Sequence, residues 1–186
     1  MEPTRNTESS QKIGYVVVVK REEGYVGRYL CANERGAPIE FWHTTESPIK
    51  VNRLQELLYG KTLMPELIGR HITGTLLSDE HGKPKIKPSL LLTKEDTILR
   101  GFDNPNIPVV LIEPVSSSST LNDKCTCQRI NTGAGEVVIR WRQENTPDIE
   151  QLVSMLRSVD VWEPFVRVCM LLDELGGKGT EKSKEL

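Results

Sequence analysis

The chain has 186 residues, 37% of them hydrophobic and 27% charged, with a net charge of −2. That length fits one domain with a core that needs neither disulfides nor a structural metal. A pI near 6.0 excludes the strongly basic composition typical of a chain built to coat nucleic acid.

The N-terminal segment, residues 1–11, is polar and reads as a disordered tail, as does the Gly-, Lys- and Glu-rich segment 177–186. No basic-then-apolar leader pattern opens the sequence, and no aliphatic run is long enough to span a bilayer. The final Lys184-Glu185-Leu186 resembles an endoplasmic-reticulum retention tail only superficially. The expected compartment is the cytoplasm, with no membrane partner. Cys31, Cys125, Cys127 and Cys169 do not form the spacing of a disulfide framework.

Ile13 to Lys20, with four consecutive valines, predicts a strand buried on both faces. Tyr25 to Ala32 predicts a second strand with Gly27 at a bulge, and Pro38 to Thr44 a third. In the third strand Ile39, Phe41 and His43 share one face. The short turns between the three imply an antiparallel meander.

Asn52 is placed to cap a helix carrying Leu54, Leu57 and Leu58. Gly60 ends it, and Thr62 caps a second helix whose apolar stripe runs through Leu63, Leu67, Ile68 and Ile72 to Leu76. Gly69 and Gly74 are expected at close packing contacts. His81 to Pro88 is a basic, proline-punctuated loop. Two aliphatic strands follow, Ser89 to Thr93 and Val109 to Ile112, with a helical turn through Ile98 and Leu99 between them. Their composition marks them as central parallel strands.

Residues 116–124, opened by a serine run, read as a linker between an α/β core at 12–115 and a lobe at 125–176. The lobe begins with a hairpin around Gly133-Ala134-Gly135. Thr146-Pro147-Asp148 then starts one helix, with Thr146 as cap, and Asp160 to Pro164 starts another with Phe165, Val168, Cys169, Leu172 and Leu175 inside. Both helices are expected to pack on the core. The predicted fold is α/β with a mixed sheet.

The order of three antiparallel strands, a helix and two parallel strands resembles the ribonuclease-H-like arrangement over about residues 13 to 114. In nucleases of that type carboxylates converge on divalent ions that activate water, and one acid sits inside the first strand. Here that strand holds valines. The resemblance leaves Glu46, past the third strand, and Glu95 or Asp96, past the fourth, as acids that could face each other, with Glu46 and Asp96 the pair of an active version using Mg2+ or Mn2+. Without the central acid the expectation is a degenerate site, with no metal and no cofactor.

Other motifs are incomplete. Cys125-Thr-Cys127 lacks the second ligand pair of a zinc site, and His43 reads as a packed histidine. No P-loop or dinucleotide fingerprint is present. Lys83, Lys85 and Lys87, with Arg140 and Arg142, form a weak candidate for phosphate contact, which keeps nucleic acid as a possible partner. Trp141, Trp162 and Phe165 gather in the C-terminal lobe, and aromatic residues are enriched where proteins meet. These observations favour a non-catalytic accessory subunit whose partner is another protein. The alternative is a protein that binds or processes nucleic acid.

Overall fold

A computed structural model describes residues 11–77, 87–104, 106–116 and 125–177. Most of both expected tails, the loop bearing Lys83 and Lys85, and the serine run past Ser116 lie outside these residues.

Seven strands form one mixed sheet between two helical layers. The strands are β1 (Lys12–Arg21), β2 (Gly24–Asn33), β3 (Pro38–His43), β4 (Leu90–Thr93), β5 (Val109–Pro114), β6 (Cys125–Thr132) and β7 (Gly135–Arg142). Their order across the sheet is β3-β2-β1-β4-β5-β7-β6. The meander β1-β2-β3 is antiparallel, and β4 and β5 run parallel to β1. The first five strands therefore keep the ribonuclease-H-like order. The hairpin β6-β7 continues the same sheet, because β7 pairs antiparallel with β5.

The valine run of β1 follows from burial on both faces. Tyr15 and Val17 point into one core layer, and Val16 into the other. On the first face lie α4 (Ile149–Leu156) and α5 (Glu163–Gly177). There Phe165 meets Tyr15 edge-on, with ring centroids 5.3 Å apart. On the second face lie a π-helical segment (Leu63–Gly69), α2 (Arg70–Leu77) and α3 (Asp96–Gly101). Ile68, Ile72 and Leu76 pack there against Val16, Leu91 and Leu111. Gly69 and Gly101 let α3 and the π-helical segment touch backbone to backbone: a Cβ at Gly101 would sit 2.3 Å from the Pro65 carbonyl oxygen.

Local signals explain the element ends. Asn52 and Gln55 form a reciprocal capping box at the start of α1 (Arg53–Tyr59), and Gly60 ends that helix at φ +50°. Asp160 Oδ1 accepts the amides of Trp162 and Glu163 at the start of α5. Four expectations are corrected. The register break of β2 falls between Cys31 and Ala32, whereas Gly27 pairs regularly with Val18. Asp148 rather than Thr146 caps α4, accepting from the Gln151 amide at 3.1 Å, since its carboxylate is one residue from the first helical position. Gly74 has nothing within 4 Å of an added Cβ. Cys169 is exposed, because α5 turns its Phe165–Val168 face inward. Among the described residues no helix is long and apolar enough to cross a membrane.

Candidate functional site

Strands β1, β4 and β5 end along one edge of the sheet, and the strand order reverses between β1 and β4. Open α/β sheets bind ligands outside the carboxyl ends of strands at such a reversal. Here β1 outruns its neighbour: Val16 pairs with Thr93, where β4 ends, but β1 continues to Arg21. Glu95 fills the gap. Its carboxylate accepts the Thr93 hydroxyl at 3.1 Å and hydrogen-bonds the backbone amides of Lys94 and Val18. Burial pushes the Glu95 carboxyl above the ordinary carboxylate range, against the pull of those bonds and of the Lys94 charge. Lys94 is the cation beside it, while Lys20 lies further along β1. Lys94 Nζ lies 5.3 Å from the Phe165 ring centroid, and Lys20 Nζ lies 5.7 Å from that of Tyr25. Next to Lys20 a cleft of about 410 Å³ is lined by Arg21, Lys50, Glu22, Glu23 and Glu56, a mixture of both signs.

This edge therefore presents a buried, hydrogen-bonded carboxylate beside Lys94, and a cleft of mixed charge at the end of β1. Glu95 is the acid held there, while Asp96 opens α3 at the surface and pairs with Arg100 at 2.6 Å. Glu46 is exposed beyond β3. Glu46 lies in the loop past β3 and Asp96 at the start of α3, with β2 and β1 between β3 and β4. Among the described residues no group of three or more His, Cys, Asp or Glu is placed to hold a metal. Among the described residues the acids therefore offer no three-ligand set for Mg2+ or Mn2+.

The remaining candidates take structural places. Trp141 is 4% exposed and Phe165 1%, both inside the core, so neither forms a surface for a partner; Trp162 is half-buried against the same cluster. Arg140 is buried and its Nη2 pairs with Glu113 at 2.9 Å. Arg142 pairs with Glu144 at 2.8 Å and donates to the Arg100 and Phe102 carbonyls. Both arginines brace β7 rather than offering a phosphate site. Lys87 is exposed; Lys83 and Lys85 lie outside the described residues. His43 is half-buried, 5.8 Å from the Phe41 ring, and its Nδ1 accepts the Thr45 amide. Cys125 and Cys127 share a strand face with Arg142 and Arg140.

The feature that sequence reasoning missed is the exposure of the α1 leucines. Leu54, Leu57 and Leu58 are 64%, 66% and 72% exposed, Tyr59 is 40% exposed, and no residue of the helix is buried. The signal was the glycine at 60, which separates these leucines from the stripe that follows.

No family model matches the chain, and no curated protein matches it. Among solved structures the chain is similar to the crystal structure of Endonuclease_V from Bacillus subtilis, at 10% sequence identity and a TM-score of 0.49, over 91% of this chain and 83% of that one.

Proposed function

We propose that the protein is a non-catalytic interaction subunit built on a ribonuclease-H-like core, and that α1 is the surface it offers to another protein. The observation that carries this is the exposed leucine set on a helix with no buried residue. Single exposed leucines are ordinary, but three at i, i+3 and i+4 make a continuous apolar ridge. A seven-residue helix is marginal on its own propensity. Here the Asn52–Gln55 capping box and the Arg53–Glu56 ion pair at 3.1 Å pre-form it. The ridge is convex, so its complement is an apolar groove. Ridge against ridge, four side chains from each of two copies would cover less than the roughly 1,200 Å² of a stable interface. A groove on a different protein fits better.

The test is retention of binding partners from the native cell by full-length bait, wild type against Leu54→Asp/Leu58→Asp. A protein held by the wild type and lost by the variant, with unfolding midpoints equal, is the expected result. Identical retention by both would reject α1 as the docking surface.

A second reading, binding of nucleic acid at the β1/β4 edge, is supported by the cations there, Lys94 beside Glu95 and Lys20 near the end of β1. It requires affinity for DNA or RNA that falls with salt and is lost in Lys20→Glu/Lys94→Glu. It requires no cleavage on addition of Mg2+ or Mn2+. Absence of salt-dependent binding would dismiss it.

A further inference from the structure

The two edges of the sheet are unlike. β3 is six residues long, begins with Pro38, carries Glu40, and meets β2 across a register break. Short length, proline, charge and irregularity are the usual devices that keep an edge from pairing. β6 has only one of them, the charge of Arg129. Its eight residues contain no proline, no lysine and no acid, only Arg129, and its register with β7 is unbroken. Thr126 to Arg129 are exposed. Among the described residues no backbone hydrogen bond reaches its outer side. The two-residue turn makes Thr132 and Gly135 a mutually bonded pair. Alternation then directs the N–H and C=O groups of Cys125, Cys127, Arg129 and Asn131 outward. Beside this edge runs a groove of about 360 Å³ between Gln128 and Ile149, Glu150, Val153 and Ser154 of α4 with Arg157 just past its end.

We propose that β6 is a homotypic edge: two copies of the chain pair it antiparallel about a dyad at Gln128, joining two seven-stranded sheets into one. Charge selects both the register and the occupant. A dyad at Arg129 would set two guanidinium groups opposite each other, which destabilises a strand pair. A dyad at Gln128 sets Arg129 opposite the neutral Cys127 of the second copy, and the outward backbone groups match. Gln128 lines the same groove as Glu150 and Arg157, which stand towards opposite ends of the Ile149–Arg157 run. The same rotation therefore brings Glu150 of each copy towards Arg157 of the other. Within one copy these two residues are seven apart, about 10 Å along the helix, and neither makes an ion pair among the described residues. The half-buried rims of Ile149 and Val153 meet across the axis and close the groove. An unrelated extended peptide would satisfy the backbone but not this reciprocal charge pairing.

The experiment is sedimentation equilibrium of the full chain across a micromolar concentration series. The wild type is expected to approach twice the 21.0 kDa chain mass. Arg129→Pro removes an outward N–H without touching the β6–β7 ladder, and should sediment at 21.0 kDa. If it loses native circular dichroism, Cys127→Lys replaces it. Glu150→Lys should weaken association about tenfold or more, and Glu150→Lys/Arg157→Glu should restore it. A monomeric wild type, a dimeric folded edge variant, or a charge swap that fails to restore association would each overturn the proposal.

Discussion

Ile72 of α2 stands directly over Gly27 of β2: a Cβ added at Gly27 would lie 2.1 Å from Ile72 Cγ2. The glycine is the seat of the helix on the sheet. Gly27→Ala is expected to cost about 1–3 kcal/mol by overpacking. Combining it with Ile72→Ala, which removes the colliding methyl, should cost less than the sum of the two single changes. A double-mutant cycle in urea measures that coupling, and strict additivity would show that the contact is not the cause.

Gly101 makes a stricter demand. The atom nearest its added Cβ is a backbone carbonyl oxygen at 2.3 Å, which cannot rotate aside. Gly101→Ala should therefore destabilise more than Gly27→Ala, whereas Gly74→Ala, with open space around it, should stabilise by up to about 1 kcal/mol through helix propensity. Thermal melts of the three variants in one buffer give the ranking. Gly74→Ala falling below wild type would contradict it.

The raised carboxyl of Glu95 fixes a pH dependence. Its native state holds the proton more tightly than the unfolded chain does. Its contribution is therefore favourable below the ordinary carboxylate range and is lost as pH rises through the folded value. Glu95→Gln keeps an acceptor for the Val18 amide without the charge. The variant should exceed wild type in urea midpoint at pH 7, and the two should converge near pH 4. Equal midpoints at both pH values would mean that the carboxyl is not strained by burial.

The buried Arg140–Glu113 pair tests the join between hairpin and core. It links β7 to β5 with both side chains largely out of water. Glu113→Ala is expected to cost about 3 kcal/mol by leaving the guanidinium buried without its carboxylate. The exposed Arg53–Glu56 pair should contribute under about 1 kcal/mol when broken by Glu56→Ala. Chemical denaturation separates the two cases.

Thiol accessibility divides the cysteines. Cys127 and Cys169 are exposed, while Cys31 is buried in the second core layer, with burial pushing its thiol pKa up. A chromogenic disulfide reagent at pH 8 should titrate Cys127 and Cys169 quickly, and Cys31 only after denaturant is added. Rapid labelling of Cys31 in Cys127→Ser/Cys169→Ser would place it outside the core.

The sheet was legible in the sequence because burial dictates its pattern: the Val16–Val19 run and Leu90–Leu92 are what strands between two helical layers require. Asn52 announced α1, and Gly133-Ala134 announced the hairpin, through local turn and cap chemistry alone. The roles of Trp141, Phe165 and Arg140 were not legible. An aromatic residue that anchors a partner and one that fills a core have the same composition, and only the position of α5 over β1 decides between them. Arg140 lies on an alternating strand that reads as half solvated. Its pairing with Glu113 exists because β7 docks beside β5, which no local pattern records. Glu95 and Asp96 were equivalent candidates in the sequence because both follow β4. The hydrogen bond from Val18, a neighbour only across the sheet, separates them.

The break at Gly60 settles the direction in which the α1 leucines face. At about 100° per residue, eleven residues bring a helix back to within about 20° of its starting angle, so in one straight helix Leu57 would share its azimuth with Ile68. Leu54 and Leu58 would follow, in phase with Ile68 and Ile72 over fourteen residues. The three leucines carry the periodicity of a core stripe and would have been drawn into the core by it. The turn at Gly60, with its φ of +50°, and the wider winding of the π-helical segment reset that phase. A surface ridge thus arises from a change of winding in the chain, with no change in the kind of residue it displays.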